Sequence, residues 1–260
     1  MIRLAVTGAA GRMGRRIIEL ARERKNLQVV AALEAPGHPQ LGQPATTGGP
    51  TITQDCDVPF DVLVDFSLPA ATENVLSLAR NDGAAIVMGT TGHTPDQLAA
   101  IGEAARHIAL LKAPNMSVGV NLLLRLIGQV ARALGADYDA EIVEAHHRFK
   151  ADAPSGTAVA LLDALCQATD RKPDRDAVFG RHGQTGQRPA GQIGVHAVRM
   201  GDVVGQHEVF FSTLGETVSL RHTAHTRDTF VQGALRAAEW IVGKPPGLYS
   251  MQNVLSAAST

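Results

Sequence analysis

The sequence predicts an α/β protein: a doubly wound parallel sheet of the Rossmann type, joined to a second, α+β domain built on a mixed sheet. Three observations carry that prediction. Short apolar runs alternate with helix-period segments from residue 2 to residue 111, a glycine-rich turn joins the first run to the first helix, and three strand-like runs follow one another between 193 and 222. Alternation gives parallel strands covered on both faces, whereas strands in succession give a mixed or antiparallel sheet.

The first apolar run is 2–7, followed at once by Gly8-Ala9-Ala10-Gly11-Arg12-Met13-Gly14 and then by Ile17, Ile18, Leu20 and Ala21 at helical spacing. The run 29–33 ends in Glu34, after which Pro36, Gly37, Pro39, Gly42, Pro44 and Gly48-Gly49 mark an irregular loop. Strands are expected at 62–66, 85–88 and 108–111, with helices near 69–82 and 94–106. After Asn115 the pattern changes: Leu123, Leu126, Ile127, Val130 and Leu134 predict a helix, and a strand at 140–145 meets His146-His147. A second domain is expected from here. Pro154-Ser155-Gly156-Thr157 opens a helix that runs to about 168, and 171–192, rich in Gly, Pro and charge, reads as a loop. Strands at 193–200, 203–213 and 217–222 precede a last helix at 228–242.

Composition narrows the function. The 260 residues are 45% apolar and 19% charged, enough to bury a sizeable core in one large or two modest domains. With 24 Lys and Arg against 25 Asp and Glu, the net charge of -1 gives no general attraction to nucleic acid or anionic lipid, so a small-molecule partner is expected. No apolar stretch is long enough to span a bilayer and no basic-then-apolar leader precedes Ile2, so neither a membrane partner nor export is expected and a cytoplasmic location is. Cys56 and Cys166 are far apart and outside any CxxC spacing, which predicts free structural thiols. His196, His207 and the His222-x-x-His225 pair lack the helical alignment with a carboxylate that zinc catalysis uses, so no metal is expected.

Gly8, Gly11 and Gly14 between a strand and a helix let the backbone approach a pyrophosphate, whose charge the free N–H groups and helix dipole attract. A plain αβ turn can look the same. The further signal is Glu34, twenty positions after Gly14 at the end of the next strand, where a carboxylate accepts from ribose hydroxyls. NADH or NADPH is implied. Ala35 rather than a cation follows Glu34, which favours NADH, although Arg12, Arg15 and Arg16 leave a 2′-phosphate somewhere to bind.

The run Glu144-Ala-His-His-Arg-Phe-Lys-Ala-Asp-Ala-Pro-Ser-Gly-Thr157 holds two imidazoles, a guanidinium, an ammonium and a helix N-terminus. Singly, these read as a core histidine, a surface lysine and helix caps. Concentrated behind a nucleotide domain, they read as a reductase site. Hydride delivery to an electron-poor carbon needs an acid or cation to take up the displaced electrons, a task for His146 or Lys150. The N–H groups and hydroxyls of Ser155, Gly156 and Thr157 suit carboxylates, which points to a small dicarboxylate substrate.

These motifs resemble the 4-hydroxy-tetrahydrodipicolinate reductase (dihydrodipicolinate reductase) family over nearly the whole chain: GAAGRMG at 8–14, Glu34, GTTG at 89–92, APNMSVGVN at 113–121, EAHHRFKADAPSGTA at 144–158 and VRMGDVVGQHEVFF at 198–211. The resemblance implies that Gly8, Ala9, Ala10, Gly11, Arg12 and Met13 line the pyrophosphate and Glu34 takes the ribose. It places Gly89, Thr90 and Thr91 with Ala113, Pro114, Asn115 and Met116 around the nicotinamide half. His146 and Lys150 are then the proton donors, and His147, Gly156 and Thr157 hold substrate carboxylates. Family members often carry Arg after the Glu, so Ala35 departs from the NADPH pattern. The resemblance further implies reduction of 4-hydroxy-tetrahydrodipicolinate to tetrahydrodipicolinate on the lysine and diaminopimelate route. It also implies a discontinuous nucleotide domain of 1–117 plus 227–260, a substrate domain of 118–226, and a homotetramer joined through the sheet of that domain.

Two rivals remain at this level. Another NAD(P)H-dependent reductase of a small carboxylated substrate, such as a semialdehyde-type dehydrogenase, needs a nucleophilic cysteine. A catalytically silent NAD-binding sensor has no need of an acid–base pair.

Overall fold

The computed structural model describes residues 1–256; the last four positions of the expected 227–260 segment lie outside the described residues. The chain divides into two compact units, Met1–Val118 together with the chain from Asp228 onward, and Gly119–Arg227.

The first unit begins with β1 (Ile2–Thr7), α1 (Arg12–Ala21), β2 (Leu27–Leu33), β3 (Ile52–Thr53) and β4 (Val62–Asp65). A 3₁₀ turn at Pro69–Ala71 leads into α2 (Thr72–Asp82), then β5 (Ala85–Met88), α3 (Pro95–Ala104) and β6 (Ala109–Lys112). The second unit holds α4 (Val118–Leu134), whose first residue still belongs to the first unit, β7 (Asp139–His146), α5 (Gly156–Thr169), α6 (Pro173–Asp176), β8 (Ala177–Phe179), β9 (Ile193–Arg199), β10 (Gly205–Thr213) and β11 (Glu216–Ala224). The chain then returns to the first unit as α7 (Asp228–Ile241), β12 (Gly247–Tyr249) and α8 (Met251–Ser256).

In the first unit seven parallel strands lie in the order β12-β6-β5-β4-β1-β2-β3. Strand order reverses direction beside β1, the switch point at which open α/β sheets bind ligands outside the carboxyl ends of their strands. Every residue of β4 and β5 is buried, which is why 62–64 and Ala85–Met88 read as unbroken apolar runs. On one face Ile17 and Ile18 of α1 and Val231, Leu235 and Ile241 of α7 pack on Leu4, Val6 and Val64. On the other, Val75 and Leu76 of α2 and Ile101 of α3 pack on Leu63, Ile86 and Leu110. Burying each large side chain stabilises by roughly 1.5–3 kcal/mol. Helix ends are set locally: Thr94 and Gln97 form a capping box ahead of α3, and α2 stops at Gly83 in the left-handed conformation.

The second unit carries the mixed sheet β11-β10-β7-β9-β8. β10 is antiparallel to β7 and β11, while β7, β9 and β8 run parallel. Leu123 and Ile127 of α4 with Leu161, Leu162 and Leu165 of α5 cover one face, against Ile142, Val195, Val209 and Phe211.

The departures from the sequence expectations concern short elements. The segment 171–192, expected as loop, contains α6 and the edge strand β8; four and three residues are too few to display a period. The two-residue β3 and three-residue β12 extend the parallel sheet at its two edges for the same reason.

Candidate active site

The C-terminal ends of β1 and β2 open into a cavity of about 800 Å³ in the first unit. Gly8, Ala10, Gly11, Glu34 and Ala35 line it, with Pro36, His38, Gln40 and Asp55 from the following loops and Phe66, Ala71 and Asn74 opposite. Gly8 has φ +70°, and a Cβ there would lie 2.4 Å from the Phe66 carbonyl oxygen. Gly14 passes so close to the turn that its Cβ would meet the Gly8 carbonyl oxygen at 2.1 Å. Glycine is thus required twice, once for backbone conformation and once for the close seating of α1 on the turn. Gly11 is the N-cap of α1 without a capping side chain, so the helix start keeps N–H donors for an anion.

Glu34 braces this turn. Its Oε1 accepts from Ala10 N–H at 2.9 Å and its Oε2 from Ala35 N–H at 3.2 Å, with lone pairs left over for hydroxyl donors. Arg15 and Arg16, two of the three cations expected near a phosphate, are engaged elsewhere. Arg15 donates to the carbonyls of Ala10 and Ala45 and to Gln40 Oε1, and Arg16 is paired with Asp228 and Glu19. Arg12 is exposed at the start of α1.

In the second unit, period-two alternation puts Glu144 and His146 of β7, Arg199 of β9 and His207 of β10 on the covered face of the sheet. Glu144 is 0% exposed. Its carboxylate accepts from Arg199 Nη1 and Nη2 at 2.9 and 2.7 Å, from Ser155 N–H at 3.0 Å, and lies 2.6 Å from His146 Nδ1. Burial alone would raise the Glu144 carboxyl, but these bonds outweigh it and hold it below the ordinary glutamate range. Burial lowers His146, and the Glu144 charge only partly offsets that. His207 sits edge-on to His146 with ring centroids 5.2 Å apart, and its Nε2 is 3.1 Å from Ser155 Oγ. Burial pushes it down to about 4, so it is a neutral imidazole.

Lys150 closes the turn after β7, its N–H bonded to the His147 carbonyl and its Nζ 2.7 and 2.8 Å from the Asp152 carboxylate. Ser155 is 2% exposed and caps α5, its Oγ accepting from Ala158 N–H, while Gly156 and Thr157 form the first helical turn.

Residues 2–116 match the family model described as Dihydrodipicolinate reductase, N-terminus, and residues 119–255 the one described as Dihydrodipicolinate reductase, C-terminus. The chain belongs to the dihydrodipicolinate reductase family. Its relatives in that family include the 4-hydroxy-tetrahydrodipicolinate reductase of Citrifermentans bemidjiense, 44% identical over 264 residues that cover 98% of this chain and 99% of the relative. The enzyme of the same name from Alkalilimnicola ehrlichii is 47% identical over 262 residues, 97% and 98% of the two chains. A solved dihydrodipicolinate reductase from Paenisporosarcina sp. TG-14, described as dipicolinate-bound, superimposes with a TM-score of 0.80 at 25% identity, covering 97% of this chain and 99% of that one. The parallel sheet with its helices and the mixed second sheet thus form the fold of a dihydrodipicolinate reductase, and the chain is an oxidoreductase of the NAD(P)H-dependent kind acting on a small substrate.

Within this family fold the residues singled out by sequence are placed as follows. Gly8, Ala10, Gly11 and Glu34 meet in the cavity; Ala9 and Met13 pack into the core instead, Ala9 with its N–H on the Leu33 carbonyl. Gly89, Thr90 and Thr91 follow β5, and Ala113, Pro114, Asn115 and Met116 follow β6, at the same carboxyl edge of the sheet, but none of the seven lines the cavity. Thr90 is buried with an Oγ1 that has no hydrogen-bond partner, whereas Met116 is core. His146, His147 and Lys150 lie at the end of β7 and in the turn after it, Ser155, Gly156 and Thr157 lie at the start of α5, and the Glu144 carboxylate links His146 to the Ser155 N–H. Glu144 and Arg199 carry no role in the sequence motif taken alone. A charged residue on the inward phase of an apolar strand was the signal, present in Ala140, Ile142, Glu144 and again in Ile193, Val195, Arg199.

Proposed function

We propose that this chain reduces 4-hydroxy-tetrahydrodipicolinate to tetrahydrodipicolinate with NAD(P)H, in lysine and diaminopimelate biosynthesis, with His146 and Lys150 as its acid–base pair. The observation that supports this most is the cluster at the end of β7: an imidazole bonded to a buried carboxylate, a lysine in the next turn, and a helix N-terminus beside them.

The first unit fits the coenzyme, because the Gly8 turn leaves a cradle that a Cβ would fill and Glu34 stands at its ribose end. Bound NAD(P)H supplies the hydride. The chain's own residues do the rest. The N–H groups of Gly156 and Thr157, with His147, orient the two carboxylates of the substrate. Protonated His146 gives its Nε2 proton to the ring atom that gains electron density, and the Lys150 ammonium stabilises that charge or delivers the proton itself. Asp152 is largely exposed, so its pair with Lys150 is worth little and yields readily to a substrate carboxylate. Water is lost from the substrate before or with hydride arrival, so the hydride and the proton replace the two hydrogens that leave with the water, and the product differs from the substrate by one oxygen.

NADH is the favoured coenzyme: Glu34 and Asp55 line the cavity, no lysine or arginine does, and Ala35 follows Glu34. A homotetramer joined through the outward face of the second sheet, where Phe210 and Val198 stand among polar residues, fits the reading. So does a cytoplasmic location; among the described residues no helix is long and apolar enough to cross a membrane. The thiol-dependent rival finds no nucleophile here. Burial raises Cys56, whose Sγ donates to the Val58 carbonyl at 3.2 Å, and burial also raises Cys166 inside the second core.

The test is product identity. With the condensation product of pyruvate and aspartate semialdehyde generated in place, mass spectrometry is expected to find tetrahydrodipicolinate. Accumulation of unreduced heterocycle alone contradicts the proposal.

A further inference from the structure

Glu144 has no part in binding coenzyme or substrate in the scheme above, yet it is the most deeply buried charge of the second unit and every acceptor position on it is used. An ionised carboxylate cannot donate, so the 2.6 Å contact with His146 requires the proton on Nδ1. Neutral His146 then carries its lone pair on Nε2, and protonated His146 carries its transferable proton there. Gly205 of β10 keeps that side of the ring uncrowded, since even a Cβ at 205 would stand 3.1 Å from Nε2. We propose that Glu144, gripped from behind by Arg199 and by the Ser155 N–H, is a positioning residue that fixes the tautomer and orientation of His146 so that Nε2 faces the reaction.

This inference rests on His146 being a proton donor. Arg199 contributes by occupying both carboxylate oxygens, so that Glu144 can neither rotate nor take up a proton. His146 is faced by Glu144 on its own strand, Arg199 on β9, His207 on β10 and Lys150 in the turn after β7. Of these, Glu144 alone is an anion that favours the imidazolium, whereas Lys150 and Arg199 disfavour it. Removing the Glu144 charge therefore lowers the pH at which His146 holds its proton.

The experiment compares wild type, Glu144→Gln and Glu144→Asp in coenzyme-oxidation assays across about pH 5 to 9. Glu144→Gln is expected to lose roughly 10- to 10³-fold in kcat, with KM for NADH within about twofold. Its kcat/KM is expected to begin falling about one pH unit lower than in wild type. Glu144→Asp is expected to recover part of the rate and keep the wild-type pH profile. A folded Glu144→Gln with unchanged kcat and profile overturns the proposal. Should that variant not fold, ¹⁵N spectra of histidine-labelled wild type decide: neutral His146 as the Nδ1–H form supports the proposal, and the Nε2–H form overturns it. A wild type that turns over no substrate sinks the functional reading, and the spectra still judge the positioning.

Discussion

At the scale of single residues, the proposed chemistry rests on Lys150 and His146. Lys150→Ala is expected to reduce kcat about 10²- to 10⁴-fold while leaving NADH affinity, measured by fluorescence titration, little changed, because the side chain belongs to the second unit and the nucleotide cavity to the first. Equal turnover in variant and wild type removes Lys150 from the mechanism. The pH dependence follows from His146. Burial holds it below its ordinary 6.5 and donation needs the protonated form, so kcat/KM is expected to fall as pH rises through a value under about 6.5. A rise over that interval contradicts the role. His146, Lys150 and the Ser155–Thr157 helix start were legible because they crowd one short run. Their support was not: Arg199 reaches Glu144 across 55 positions, and only the pairing of β7 with β9 brings them together.

At the scale of elements, the turn from β1 to α1 makes a steric prediction. In a helix interior Gly→Ala ordinarily stabilises by about 1 kcal/mol. Gly14→Ala is expected to do the opposite, lowering Tm and weakening NADH binding at least about tenfold, since its Cβ would sit 2.1 Å from the Gly8 carbonyl. Calorimetry and titration check both. On the outward face of β7, Glu141 accepts from His196 of the neighbouring β9 and from Arg181 and Arg188, which tie the loop before β9 to the sheet. Burial works against its ionisation, but the three donors bring it from 4.5 down to about 2. A depressed carboxylate stabilises the fold above its unfolded value and loses that contribution as pH falls toward the folded one. Glu141→Gln is therefore expected to cost about 1–3 kcal/mol at neutral pH, a deficit that shrinks between about pH 4.5 and 2 in denaturant titrations. The main strands and helices were visible in the sequence because burial on two faces or one stripe imposes a pattern. Edge strands β3, β8 and β12 were invisible because two or three residues carry none.

At the scale of the molecule, the proposed function assigns the nucleotide to the parallel sheet and the acid–base chemistry to the mixed sheet. Light scattering is expected to return the mass of four 27.4 kDa chains, and a monomer at micromolar concentration contradicts the tetramer. The family motifs made the activity legible before any coordinates, since GAAGRMG and HHRFKADAPSGTA mark the two scaffolds separately. The most direct measurement follows absorbance at the nicotinamide band while the synthase makes the heterocycle from pyruvate and aspartate semialdehyde. Wild type is expected to oxidise NADH only when both precursors and the synthase are present, and a folded His146→Gln, Lys150→Ala double variant is expected to bind NADH without oxidising it. No loss of absorbance with the wild type, or the same loss with the double variant, contradicts the account.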